Sequence, residues 1–160
     1  MKKYNNFNYQ WFMRLAIEEA EKAFSLGEVP VGAIIVDDEN KIISKSHNFK
    51  EQSHDPCGHA EILAIREASK NLSSWRLNNC TIYVTLEPCV MCMGAIISSR
   101  LNKVIFGAYD LKGGAISLGF NLHHNSKLNH RSKILGGVEH YDCSSLLSQF
   151  FKQRRSLYQK

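Results

Sequence analysis

The stretch Thr81 Ile82 Tyr83 Val84 Thr85 Leu86 Glu87 Pro88 Cys89 Val90 Met91 Cys92 opens as a strand and closes as a helix, with two thiols three residues apart directly behind a proline. Residues 81–85 are β-branched or aromatic, the composition of a pleated, half-buried run. Proline is favoured at the first position of a helix, and residues i and i+3 share a helical face. Both sulfurs therefore point the same way from the opening turn. Such a pair suits one metal ion. It equally suits a redox dithiol, because strand, Cys-x-x-Cys and helix is also the order of thioredoxin-like sites.

A third metal donor is available thirty residues upstream, in Cys57 Gly58 His59 Ala60 Glu61 Ile62. His59 and Glu61 stand two apart at the start of an apolar helical pattern. That spacing is about 200° of rotation, so the pair converges on one point only from the helix tip. Both motifs thus present helix N-termini, which favour thiolates and an ionised carboxylate.

At 160 residues with 44% hydrophobic content, the chain fits one domain, 1–160, with a sizeable core. No apolar run approaches the roughly 18 residues of a membrane span, and residues 1–8 lack the apolar centre of a signal peptide. A cytoplasmic protein is expected. Five cysteines in a reducing compartment read as ligands or buried thiols, with Cys80 and Cys143 assigned to packing. The net charge of +5 is uneven: residues 1–99 hold 10 basic and 12 acidic side chains, residues 100–160 hold 10 and 3. The halves are −2 and +7, as expected where later segments meet a polyanion, although scattered solubilising lysines give a weaker version.

Along the chain, Asn8 is placed to cap a helix carrying Phe12, Ala16, Ala20 and Ala23, which Gly27 ends. Residues 31–36 and 41–44 form a hairpin around Asp37 Asp38 Glu39 Asn40. Residues 47–56 are a polar loop. Residues 60–72 form a buried helix, and the helix after Cys89 is apolar almost all round, so a sheet covers one side and a second subunit the other. Residues 104–108 form the next strand, 138–141 the last, and Asp142 caps a final helix whose exposed face holds Lys152, Arg154, Arg155 and Lys160. Alternating helices and strands with one early hairpin predict a three-layer α/β/α sandwich around a mixed sheet.

His59, Cys89 and Cys92 are enough for a catalytic zinc with its fourth position left to water. Adding Cys57 would close a structural His/Cys₃ site, but that leaves Glu61 without a task. In a catalytic site Glu61 can take a water proton, then return it to a ring nitrogen and a departing amine, which is hydrolytic deamination. The redox reading leaves both His59 and Glu61 unexplained.

His59 Ala60 Glu61 with Pro88 Cys89 Val90 Met91 Cys92 resembles the signature of the zinc-dependent nucleobase deaminases. Residues 28–33, His54 Asp55 Pro56, 85–92, Phe106 Gly107 Ala108, His123 His124, Asn129 His130 Arg131 and Phe150 Phe151 with Arg154 Arg155 resemble the branch that acts on tRNA. The similarity covers nearly the whole chain. It implies a cytidine deaminase-like fold with a five-stranded sheet and a homodimer. It also implies one Zn²⁺ per subunit on His59, Cys89 and Cys92, a zinc-activated hydroxide, and Glu61 as proton shuttle. The implied substrate is wobble adenosine in a tRNA anticodon stem-loop, converted to inosine. Asn48 would bond the target base, Val31 and Ala33 would wall the pocket, Leu86, Glu87 and Pro88 would border it, and Asp110 would lie near the RNA backbone.

His123, Asn129 and Arg131 are further candidate RNA contacts, together with Phe150, Lys152, Arg154 and Arg155 on the last helix. Their plainer reading is core phenylalanine, solvated arginine and loop histidine. The chain departs from the family at Cys57 and Gly58, where threonine and alanine are usual, and at Tyr109, commonly arginine. A small-molecule deaminase acting on guanine, cytosine or a pterin-like base is the alternative enzyme, and a zinc-stabilised RNA-binding module the alternative without catalysis.

Overall fold

The computed structural model describes residues 6–158. Its centre is strand β1 (Gly32–Val36), five residues buried on both faces. β1 pairs antiparallel with β2 (Ile42–His47) on one side and with β3 (Thr81–Leu86) on the other. β3 then pairs parallel with β4 (Lys103–Ala108), and β4 with β5 (Lys133–Leu135), in the order β2-β1-β3-β4-β5. A parallel neighbour needs a crossover, and helix α3 (Val90–Ser98) supplies the one between β3 and β4.

Successive strand residues point to opposite faces and so sort the core into two layers. Ile34, Val36, Tyr83 and Ile105 face helices α1 (Asn6–Ser25) and α4 (His140–Tyr158), where Phe12, Met13, Ala16 and Cys143 meet them. Ala33, Ile35, Ile82, Val84 and Val104 face the other way, onto Ala60, Ala64 and Ala68 of α2 (Ala60–Asn71) and Ile96 of α3. The result is the expected α/β/α sandwich. Gly32 lets α1 lie directly on β1, since a Cβ there would collide with the backbone of Ala16 and Ala20.

Four local expectations need correction, the first being Asp142, which lies in the first turn of α4 rather than at its cap. Asn8 lies inside α1 rather than at its cap. The last strand is Lys133–Leu135, ahead of Gly136 and Gly137 rather than behind them. It is a three-residue edge strand with a single half-buried position, too short to leave a pattern, while Gly137 and Glu139 at positive φ turn the chain straight into α4. Finally, α3 begins at Val90 with Cys89 at its cap, so Pro88 precedes the helix. Lys160 lies outside the described residues. Among the described residues, no helix is long and apolar enough to cross a membrane.

The junction after α1 carries a buried carboxylate. Gly27, at φ +75, and Glu28 close the helix by donating to the carbonyls of Phe24 and Ala23. Glu28 is buried, and its Oε1 accepts the Gln52 amide at 3.0 Å. Burial works to raise its pKa, but the amides of Gln52, Glu51 and Lys50 and the Arg154 charge outweigh it and hold the carboxyl below its ordinary value. A carboxyl lowered in the folded state stabilises above its unfolded pKa, and that contribution disappears as pH falls through the folded pKa. Glu28→Ala should therefore lose about 2 kcal/mol at pH 7 and progressively less below about pH 4. Urea unfolding at pH 7 and pH 3.5 measures this, and a loss independent of pH would rule out the ionised carboxylate as its source.

Candidate active site

α2 and α3 pack on the same face of the sheet, and their N-terminal tips carry the candidate donors. His59 caps α2 and Cys89 caps α3, both in extended backbone, with Cys92 in the first turn behind Cys89. The His59 Nδ1 lies 3.5 Å from Cys92 Sγ and 3.7 Å from Cys89 Sγ. All three donor atoms fall within 4.8 Å of one another, and Cys57 is not part of this group. Three donors without Cys57 are an open set rather than a closed four-ligand one. One imidazole and two thiols are the donor chemistry of zinc, so the residues fit that ion.

The electrostatics of the trio follow from its crowding. The Cys92 thiol donates to Cys89, and with His59 this draws Cys89 down to about 4, while the Cys92 thiol itself is pushed up. The Cys89 sulfur in turn raises His59. Glu61, at the second position of α2, is 4% exposed and within hydrogen-bond reach of Cys92. Burial pushes its carboxyl up to about 7.

The 48–58 loop delivers His59. The Asn48 backbone N–H donates to Val31 O at 3.0 Å, and its side-chain Oδ1 accepts the Ala60 backbone N–H at 2.9 Å. Because that partner is an N–H, the carbonyl side of Asn48 is fixed against the tip of α2 and its NH₂ faces away. Gly58 sits where a Cβ would crowd the Phe49 and Asp55 carbonyls, and Phe49 N–H donates to Gly58 O at 2.9 Å. The departure at Gly58 thus matches a tight loop. Val31 and Ala33 are buried on the α2 side of β1.

The remaining sequence candidates divide. Leu86 and Asp110 line a cleft of about 650 Å³ with Tyr109, Lys112, Phe151 and Arg155. Asp110 also closes its own turn, its Oδ1 accepting the amides of Lys112 and Gly113. The side chain of Glu87 turns inward, away from the cleft. On α4, Phe150 is buried against Phe24 and Arg154 donates to Gly27 O at 2.5 Å, so both serve the packing of α4 on α1 rather than a surface. Lys152 and Arg155 are exposed. His123 is buried, and burial, with His124 beside it, lowers its pKa, so it is a neutral interior ring rather than an exposed contact. Asn129 accepts from Arg100 at 2.6 Å, and Arg131 is exposed.

Phe151 and Lys112 went unpredicted as cleft residues. The signal was present in α4: Leu147, Phe151 and Arg155 recur every four residues, which puts them on one face and leaves Phe150 and Arg154 on another.

A family model described as MafB19-like deaminase matches residues 7–155. The chain belongs to that deaminase family. Among curated relatives of this deaminase, the tRNA-specific adenosine deaminase of Haemophilus influenzae is 49% identical over 143 residues, covering 89% of this chain and 83% of that one. The enzyme of the same name from Aquifex aeolicus is 49% identical over 150 residues, with 92% and 96% covered. A solved structure from work on A-to-I editing by tRNA:A34 deaminases matches at TM-score 0.81 and 37% identity, covering 85% of this deaminase and 98% of that chain.

Removing one of the deaminase's three donors, as in Cys92→Ala, should weaken zinc binding by at least about 100-fold, beyond what losing a group that only orients a ligand costs. Competition with a chromophoric chelator reads the affinity, and an unchanged value would exclude the trio as the metal site.

Proposed function

We propose that this deaminase hydrolyses wobble adenosine in a tRNA anticodon loop to inosine and ammonia. The observation that carries the reading is an open three-donor cluster with one buried carboxylate, Glu61, beside it, in a chain similar to named tRNA-specific adenosine deaminases. A zinc ion held by His59, Cys89 and Cys92, one per subunit, would supply Lewis-acid activation of a water molecule.

The chain's own residues do the rest. Glu61 takes a proton from the attacking water and delivers it to the ring nitrogen next to the amidine carbon. Glu61 then takes the remaining proton from the hydroxyl now bonded to that carbon and passes it to the exocyclic amine, so that the carbon–nitrogen bond breaks, the carbonyl forms and ammonia leaves. A carboxyl raised toward neutrality is suited to both directions of transfer. The Asn48 NH₂, whose Oδ1 is committed to Ala60, is free to donate to a base acceptor. Val31 and Ala33 back this pocket from β1.

A loop base is already partly unstacked, so turning it into a pocket costs less than from a duplex. The cleft leading from Leu86 offers what the flanking nucleotides need: Tyr109 and Phe151 for stacking, Lys112 and Arg155 for phosphates. A small-molecule deaminase would have no use for that basic, aromatic cleft. Val90 and Met91 remain exposed on an otherwise apolar α3, which supports a homodimer covering that face. A tRNA substrate puts the reaction in the cytoplasm.

Glu61→Ala should keep its zinc and lose inosine formation by at least about 100-fold on an anticodon stem-loop, followed by mass spectrometry. Loss of the metal together with activity would point to a structural role instead. Arg155→Ala should weaken stem-loop binding and reduce the slope of log affinity against log salt by about 1, with Arg154→Ala acting on stability instead. An unchanged slope in Arg155→Ala removes that residue from the RNA contacts.

A further inference from the structure

A buried carboxylate that the proposed chemistry does not use stands two residues before Cys89. Glu87 is 2% exposed. Its Oε1 accepts the Ser117 amide at 2.7 Å, and its Oε2 accepts the Asp110 amide at 3.0 Å and the Ser117 hydroxyl at 2.5 Å. The backbone continues the tie. Glu87 N–H donates to Ala108 O at 2.8 Å, Ala115 N–H donates to Pro88 O at 2.9 Å, and Cys89 forms an antiparallel bridge with Gly114. Gly114 leaves the space that the carboxylate fills, since a Cβ there would collide with it. One side chain thus grips both ends of the 110–117 loop, and the opening of that loop walls the cleft through Asp110 and Lys112.

We propose that Glu87 is a positioning residue: its carboxylate ties the cleft wall at Tyr109, Asp110 and Lys112 to the metal-ligand turn at Cys89, and so holds that wall in the shape that binds RNA. This rests on the reading of the cleft as the RNA site. A carboxylate accepts at both oxygens, and charge-assisted bonds to backbone amides are strong and short, which suits a clamp. Glutamine has the same shape but one oxygen. Its NH₂ would face an N–H at one end of the loop, so Glu87→Gln releases that end without opening a cavity.

The test is steady-state kinetics on an anticodon stem-loop bearing wobble adenosine, with zinc content measured in parallel. Glu87→Gln should keep stoichiometric zinc and a kcat within about threefold while KM rises about tenfold, because binding geometry rather than chemistry is disturbed. Ser117→Ala removes one of the three bonds without creating a donor conflict. It should raise KM in the same direction and add less in the Glu87→Gln background than alone. A fall in kcat at constant KM, zinc loss in Glu87→Gln, or no change in either variant overturns the proposal. If Glu87→Gln does not fold, an unchanged KM in Ser117→Ala overturns it alone. Should the wild type fail to deaminate the stem-loop, the reading of function falls separately. The clamp is then judged by amide exchange: about tenfold faster exchange at Asp110 and Ser117 in Glu87→Gln, with α3 unchanged, supports it, and equal exchange overturns it.

Discussion

Two sulfurs and an imidazole nitrogen held within 4.8 Å of one another are the constraint on which the other features depend. Such soft donors gather at a point only if two helix tips are brought together, and side-chain flexibility cannot substitute for that. Ala60, Ala64 and Ala68, every fourth residue of α2, are fully buried and allow the helix to lie close against β1 and β2. Ser44 Oγ fastens it there by donating to Ala64 O at 2.9 Å. α3 is placed by the parallel crossover from β3 to β4, and Thr85 ties β3 back to β1 by accepting the Gly32 amide at 3.1 Å. The sheet order is therefore what sets the ligand geometry.

Among the buried glutamates, Glu28, Glu61 and Glu87 do different work because their surroundings differ. Glu28 and Glu87 are each met by backbone amides that turn the side chain into a clamp on a loop, and at Glu28 those amides hold the carboxyl below its ordinary value. The loops they hold are 48–58 and 110–117. Glu61 has no comparable set of loop amides, so burial dominates and its proton is held near neutrality. Identical side chains are anchors in two places and, in the third, a carboxyl poised to exchange a proton.

Much of this was legible from residue order alone. The Cys89–Cys92 spacing and the two-residue step from His59 to Glu61 mark the two helix tips, although His59 and Cys89 stand at the caps in extended backbone rather than in a helical turn. The α/β/α layering was legible in the alternation of helical and strand segments after one early hairpin. The places that escaped reading share a physical cause. Lys133–Leu135 is bound by three-residue edge pairing, with no periodicity to see. Asn8 has capping chemistry, yet the helix continues through it. Glu28 and Glu87 gain their partners from amides more than twenty residues away in sequence, and nothing local to a glutamate announces that. The basic last helix was visible as a charge excess, whereas its division into faces required attention to the four-residue step.

That division gives α4 an unusual dependence on chain length. Cys143, Phe150 and Arg154 turn toward the body of the molecule, while Leu147, Phe151 and Arg155 border the open channel. Gaining or losing one residue between Gly137 and Leu147 would rotate everything beyond it by about 100°, exchanging an anchoring arginine for a water-facing one with no change in composition. The spacing along this helix, more than its composition, therefore decides which side chains anchor it and which meet the channel.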